Sequence, residues 1–270
     1  MTGTFAVLTE TDIQWDPVLF SGLTVIAGGT DTVFSWGLQS QTQSGTSLAL
    51  QTRACGDTSP DLCSSLLTQA YTQTIPFSIY ELSSMPRSST TVSFSKAPVA
   101  GDPFVAPLGA SLLGLSVTDP MGTWPTSYTD PSITWLDPDA DGHLGVTSFI
   151  PTTGTSSACN LPYTALPIPS SGALAVQVYT GSRSLSGLNG TVVDCNTISG
   201  NVTGPVAGMP QINGHAVGCL KSDNTACTDA ETASLDGTGT NGNRILAARF
   251  TMVRVPATTT CAQARALQFP

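Results

Sequence analysis

Phe5-Ala6-Val7-Leu8-Thr9-Glu10-Thr11-Asp12-Ile13-Gln14-Trp15 decides the fold class. Phe5, Val7, Thr9, Thr11, Ile13 and Trp15 fall on one side of an extended chain, with Glu10, Asp12 and Gln14 on the other, the period of two that a half-buried β-strand requires. The alternation recurs along the chain. Phe34, Trp36 and Leu38 make a second apolar face, and Ser44-Gly45 then leads to Leu48 and Leu50, which predicts a hairpin over residues 32–53. Ile75 with Phe77 and Ile79, Val92 with Phe94, Ile133 with Trp135, and Leu174 with Val176 and Val178 predict further strands. In residues 244–255, Leu246, Ala248, Phe250 and Met252 alternate with Ile245, Ala247, Arg249, Thr251 and Val253. Both faces are largely apolar, so this strand is expected to be central.

Helix signals are scarce, because Glu and Lys together number only five and long runs of good helix formers are missing. Ser59-Pro60-Asp61 has the N-cap and first-turn chemistry to open a helix running to about Ala70, and Thr260–Leu267 is expected to form a last turn or two. Gly237–Gly242 reads as a flexible loop. The 26 Gly and 19 Pro follow no repeat and imply many turns. The expected architecture is therefore all-β: an antiparallel barrel of meandering strands, or a sandwich, with long disulfide-stapled loops and one or two short helices. One large domain over residues 1–270 is expected, with a weak break near the Pro-rich segment 97–107.

Charged residues are only 10% of the chain, so the polar surface is mainly the hydroxyls of 30 Ser and 39 Thr. The net charge of −9 repels phosphate backbones and argues against nucleic-acid binding. Seven cysteines form no CxxC or CxxCH motif, which argues against zinc and covalent haem. Cys55 with Cys63, and Cys219 with Cys227, each enclose a short polar segment and are the expected disulfides. Cys159, Cys195 and Cys261 leave one further bridge and one odd thiol, a route to a homo-oligomer. Disulfides imply a secreted, periplasmic or cell-surface address. No basic n-region and apolar h-region follow Met1, so a signal peptide is expected to have been removed from this chain. No apolar stretch approaches the length of a transmembrane span, while an upstream lipid anchor stays open.

Asp137-Pro138-Asp139-Ala140-Asp141-Gly142-His143-Leu144-Gly145 is the most specific string. Three carboxylates at alternate positions, followed by a turn-permitting Gly, can wrap oxygens around a hard divalent cation. Over these nine residues the chain resembles the calcium loops of EF-hand, dockerin and thrombospondin type 3 repeats. The resemblance implies Ca2+ held by the Asp137, Asp139 and Asp141 side chains and the His143 carbonyl. The twelfth position, a bidentate Glu in that pattern, is Ser148, so Asp130 or Asp119 is needed as a donor or binding is weak. The alternative is an Asx-turn linking two strands without an ion.

No GxSxG or phosphate-cradling glycine motif is present, and only His143 and His215 are available as histidine bases. Trp15, Trp36 and Trp135 sit on strand faces with aliphatic neighbours and read as core. Trp124, between Gly122 and Pro125 in a loop, is the ligand-contact candidate. Asn189-Gly190-Thr191 and Asn201-Val202-Thr203 match glycosylation acceptors. In style the chain resembles uncharacterised secreted or lipoprotein-type β proteins of bacterial envelopes, with a lipocalin-like meander. That resemblance implies a non-enzymatic binding or structural role toward a small molecule, a glycan or a surface. A secreted hydrolase or carbohydrate-active protein with unrecognised carboxylates, and a self-assembling envelope or filament subunit, are the alternatives.

Overall fold

A computed structural model describes residues 1–15, 18–20, 23–26, 28–64, 68–238 and 243–270. Its strands and helices, in chain order, begin with β1 (Gly3–Trp15), β2 (Val18–Phe20), β3 (Leu23–Ile26), β4 (Gly29–Ser44), β5 (Ser47–Asp57), β6 (Leu62–Ser64) and β7 (Gln69–Tyr71). A single helical turn, α1 (Phe77–Tyr80), precedes β8 (Arg87–Ser93), β9 (Pro103–Leu113), β10 (Leu115–Val117), β11 (Ile133–Trp135), β12 (Val146–Phe149) and β13 (Leu166–Pro167). The chain closes with β14 (Leu174–Val192), β15 (Thr197–Thr203), β16 (Gln211–Lys221), α2 (Asp229–Thr238), β17 (Asn243–Val255) and α3 (Cys261–Arg265).

The main sheet is antiparallel and follows β12-β14-β15-β17-β1-β4-β5-β8. The 244–255 segment lies between β15 and β1, inside the sheet as its two apolar faces require. β14 is the spine. Its first half pairs with β12 and β13 on one side and β16 on the other, and its second half pairs with β9 and β15. The end strands β8 and β9 lie side by side, but no hydrogen-bonded ladder joins them among the described residues. Phe5, Leu48, Leu50, Val92, Phe104, Val192, Ile198, Phe250 and Met252, drawn from seven strands, form one core. Phe104 meets Phe94 and Phe250 there, each at 6.3 Å between ring centres. A second cluster, with Ile150, Ile168, Val178, Ala216 and Leu235, fills the space between the first half of β14, β16 and α2.

The expected hairpin over 32–53 forms as β4 and β5, turning at Gly45. Its inward face is the unexpected one. Gln39 and Gln41 are buried, whereas Phe34 is exposed and Trp36 packs outside, edge-on to Phe77 at 6.4 Å. Buried amides are tolerated when paired: Gln41 Nε2 donates to Gln39 Oε1 at 2.8 Å, and Gln39 Nε2 donates to Thr52 Oγ1 at 2.8 Å. Two further expectations are overturned. Ile75–Ile79 does not continue as a strand, because after Pro76 the chain turns into α1, which carries Tyr80 inward to donate to Asp57 Oδ2 at 3.1 Å. Residues 59–70 are not helical where described. Leu62–Ser64 pairs with Gln69–Tyr71 instead, and Asp61 accepts from the Tyr163 hydroxyl and Ser156 Oγ. α3 forms as expected, with Thr260 and Gln263 in a capping box. Of the expected loop over 237–242, residues 239–242 lie outside the described residues and Gly237 and Thr238 end α2.

Cys219–Cys227 pairs as expected, but Cys55–Cys63 does not. Cys55 joins Cys261, 206 residues away, at a Cα separation of 4.9 Å, and Cys63 joins Cys159, 96 residues away, at 6.2 Å. β5 explains the difference: it stays extended through Asp57, and Thr58 N donates to the Phe34 carbonyl, which carries the chain away from Cys55 before Cys63 is reached. Cys195 is free and exposed. Three bridges fit an oxidising environment, and no described helix is long and apolar enough to cross a membrane.

Candidate metal centre

Two loops flank β11. Residues 118–132 connect β10 to β11, and residues 136–145 connect β11 to β12. The second loop is fixed at its base. Gly145 N donates to the Leu136 carbonyl at 2.6 Å, and Leu136 N donates to the Gly114 carbonyl at 3.0 Å. Gly145 has φ +98°, and a Cβ there would meet the Thr180 backbone at 2.9 Å. Only glycine satisfies both conditions.

Within this loop Asp137, Asp139 and Asp141 bring carboxylate oxygens within 4.8 Å of one another. Local hydrogen bonds hold them. Asp137 accepts from Asp141 N at 3.3 Å and Gly142 N at 3.1 Å, Asp141 from His143 N at 2.9 Å, and Asp139 Oδ2 from Thr147 N at 2.8 Å. Thr147 Oγ1 donates to the remaining Asp141 oxygen. Asp139 Oδ1 is different: it is buried with no hydrogen-bond partner. Burial, and then the charge of Asp141, push the Asp139 carboxyl above the usual carboxylate range.

Tyr179 lies beneath the loop on β14, opposite Thr147 in the register. It is 6% exposed, its hydroxyl is buried without a partner, and the hydroxyl is pushed up by burial and then by Asp141. The His143 ring lies flat on Tyr179, 4.1 Å between centres, so its side chain is spent on stacking. Ser148 is also committed: its Oγ donates to the Val178 carbonyl and accepts from Gln73 Nε2, both at 2.7 Å. Neither nominated extra donor joins the cluster. Asp130 caps Ser132 at 2.9 Å, and Asp119 caps Met121 at 3.1 Å and faces Arg183. The three aspartates can therefore hold a metal ion, with a shell that the protein leaves incomplete.

The first loop lies over a buried polar cluster. Trp124, the ligand-contact candidate, does not stand free of the sheet. It is half-buried, with the Arg183 guanidinium 5.0 Å from its ring on β14 and His215 stacked on it at 5.1 Å from β16. Arg183, 1% exposed, donates to the Pro120 and Gly122 carbonyls at 3.1 and 2.6 Å and to Asn213 Oδ1 at 2.9 Å. His215 Nδ1 meets Asp236 of α2 at 2.8 Å and Nε2 meets the Pro125 carbonyl at 3.1 Å, so neither nitrogen is left for a nucleophile. Tyr179, Thr147, Arg183 and Asp236 carry no local motif. Their roles come from cross-strand neighbours that the sequence does not display. An open groove of about 390 Å³ crosses β4, β5 and β8, lined by hydroxyls, Gln51 and the apolar Ala49 and Leu50, with no charged residue in its lining. No protein-family model matches the chain, and no curated protein or solved structure matches it significantly.

Proposed function

We propose that the chain is a non-enzymatic extracellular or cell-envelope β protein whose 137–145 loop takes a calcium ion, and that the ion locks the β11–β12 connection. Asp139 carries the reading. A buried carboxylate oxygen without a donor, beside two more carboxylates, is costly alone and favourable around a hard cation. Calcium is the choice because every available ligand is oxygen and the shell must tolerate several waters. The strand order, the adjacency of β8 and β9 and the main core cluster they enclose support a barrel that closes through side chains rather than a ladder. Residues 1–270 form one domain in this reading. The disulfides support a secreted or surface address, and the charge-free groove suits a glycan or small polar ligand better than an ionic one.

Terbium luminescence tests the metal reading, because an excited phenol beside the ion transfers energy to it. Terbium added to the intact chain is expected to give emission that calcium competes away, that falls at least fivefold in Tyr179→Phe and that vanishes in Asp139→Asn. Emission indifferent to both substitutions would place the ion elsewhere and remove the proposal.

A further inference from the structure

We propose that the 118–132 loop is a strap whose Pro125 end is fastened to the sheet by the doubly protonated form of His215 and released when that ring loses one proton. His215 is buried on β16, with Asp236 Oδ1 at 2.8 Å from Nδ1 and the Pro125 carbonyl oxygen at 3.1 Å from Nε2. Both partners are acceptors. Asp236 already receives Ala216 N at 3.0 Å and Tyr128 N at 3.3 Å. A neutral imidazole offers one N–H and one lone pair, so it satisfies one partner and turns a lone pair on the other. Only the imidazolium satisfies both. The carboxylate is the stronger acceptor, so the neutral ring keeps its hydrogen at Nδ1 and loses Pro125.

The charges around the ring come from α2, the strap and β14. Asp236 sits on α2 with Asp229 further along it, Asp130 acts from the strap, and Arg183 on β14 stands across the Trp124 ring with Asp119 of the strap beside it. Tyr128 contributes its backbone N–H to Asp236. Two carboxylates, Asp236 and Asp130, and one guanidinium, Arg183 across the indole, are the charges that bear on the ring. The strap's other end behaves differently. Arg183 holds the Pro120 and Gly122 carbonyls, and guanidinium stays charged throughout the physiological range. Release is therefore local, confined between Gly122 and Tyr128, whose carbonyl accepts from Trp135 Nε1, and carries Trp124 away from the His215 ring and the Arg183 guanidinium. Two buried donors without partners, Trp124 Nε1 and Arg183 Nε, mark this face as one whose closed packing is incompletely satisfied.

The intact chain provides the test. The emission of Trp124, taken as the difference between wild type and Trp124→Phe, is expected to be quenched at pH 5 by the stacked imidazolium. It should rise at least twofold by pH 9 along a one-proton curve, with a matching rise in acrylamide quenching, and the change should be lost in His215→Gln. Because that variant can fail to fold, 15N NMR of the wild-type histidines provides a second reading, with His143→Gln identifying the exposed one. Two protonated ring nitrogens on His215 at pH 5 and one at pH 9 are expected. A single N–H at pH 5, two at pH 9, or Trp124 emission and quenching that ignore pH would overturn the proposal.

Discussion

Asp57→Asn is expected to stabilise the protein at neutral pH and to do almost nothing in acid. Asp57 ends β5, where burial lifts its carboxyl to about 6 against the opposing pull of the Tyr80 hydroxyl bond. The folded carboxyl therefore holds its proton more tightly than the unfolded one, whose value is 3.8. The folded state binds more protons between pH 4 and 6, so stability falls as pH rises through that window and the loss is complete above it. A shift of about two units corresponds to a ceiling of about 3 kcal/mol. Partial exposure of the residue and the new amide donor lower the expected gain to about 1–2 kcal/mol. Tyr80 stays a donor throughout, because burial and then the Asp57 charge push its hydroxyl far upward. Urea unfolding of wild type and variant from pH 3.5 to 8 measures the effect. The two curves should converge below pH 4 and separate above pH 6 with the variant more stable. A constant offset, or a variant less stable at pH 7.5, would refute the reasoning.

Glu231 has the opposite sign. The Thr228 N–H, Ser171, Lys221 and the Thr228 hydroxyl hold its carboxyl down at about 2, so Glu231→Gln should lower stability at pH 6 by an amount that fades as pH falls from about 4.5 through 2 in an acid-unfolding series. Removing the Cys55–Cys261 bridge by double serine substitution should cost up to about 5 kcal/mol on the loop-entropy argument, against about 2–3 kcal/mol for Cys219–Cys227, because the closed loops span 206 and 8 residues. Denaturant titration of the two double variants checks that order. Native protein should react with a thiol reagent at one site, Cys195, and a second equivalent without denaturant would contradict the three bridges. Gly145→Ala should destabilise by about 2–4 kcal/mol, from strained φ and contact with Thr180, read as a lowered Tm.

Period-two patterning made the class and most strands legible, since Phe5 and Val7, Val92, Val178 and Phe250 each mark an inward face. It failed where polar side chains go inward in pairs. Gln41 donates to Gln39 along β4, and Gln39 to Thr52, in a core whose neighbouring strands supply the apolar surface, and no single-strand pattern records that. It failed again at Phe77, whose aromatic character fits a strand but whose ring instead lies under the Arg265 guanidinium, 4.3 Å away. The aspartate loop was legible because its ligands are adjacent in sequence. Tyr179 and Asp139 Oδ1 acquire their meaning only from the β12–β14 register, and the His215–Asp236 pair from α2 packing on β16. Long-range disulfides were illegible for the same reason, as spacing ranks Cys63 nearest to Cys55 while the sheet delivers Cys261.

Titration calorimetry of calcium into the metal-free chain bears most directly on the proposed centre. One site per chain is expected, of sub-millimolar to millimolar affinity as befits a shell completed by water, and absent in Asp139→Asn, with a Tm rise that EDTA reverses. No heat and no Tm change in wild type at 10 mM calcium, or undiminished binding in Asp139→Asn, would contradict it.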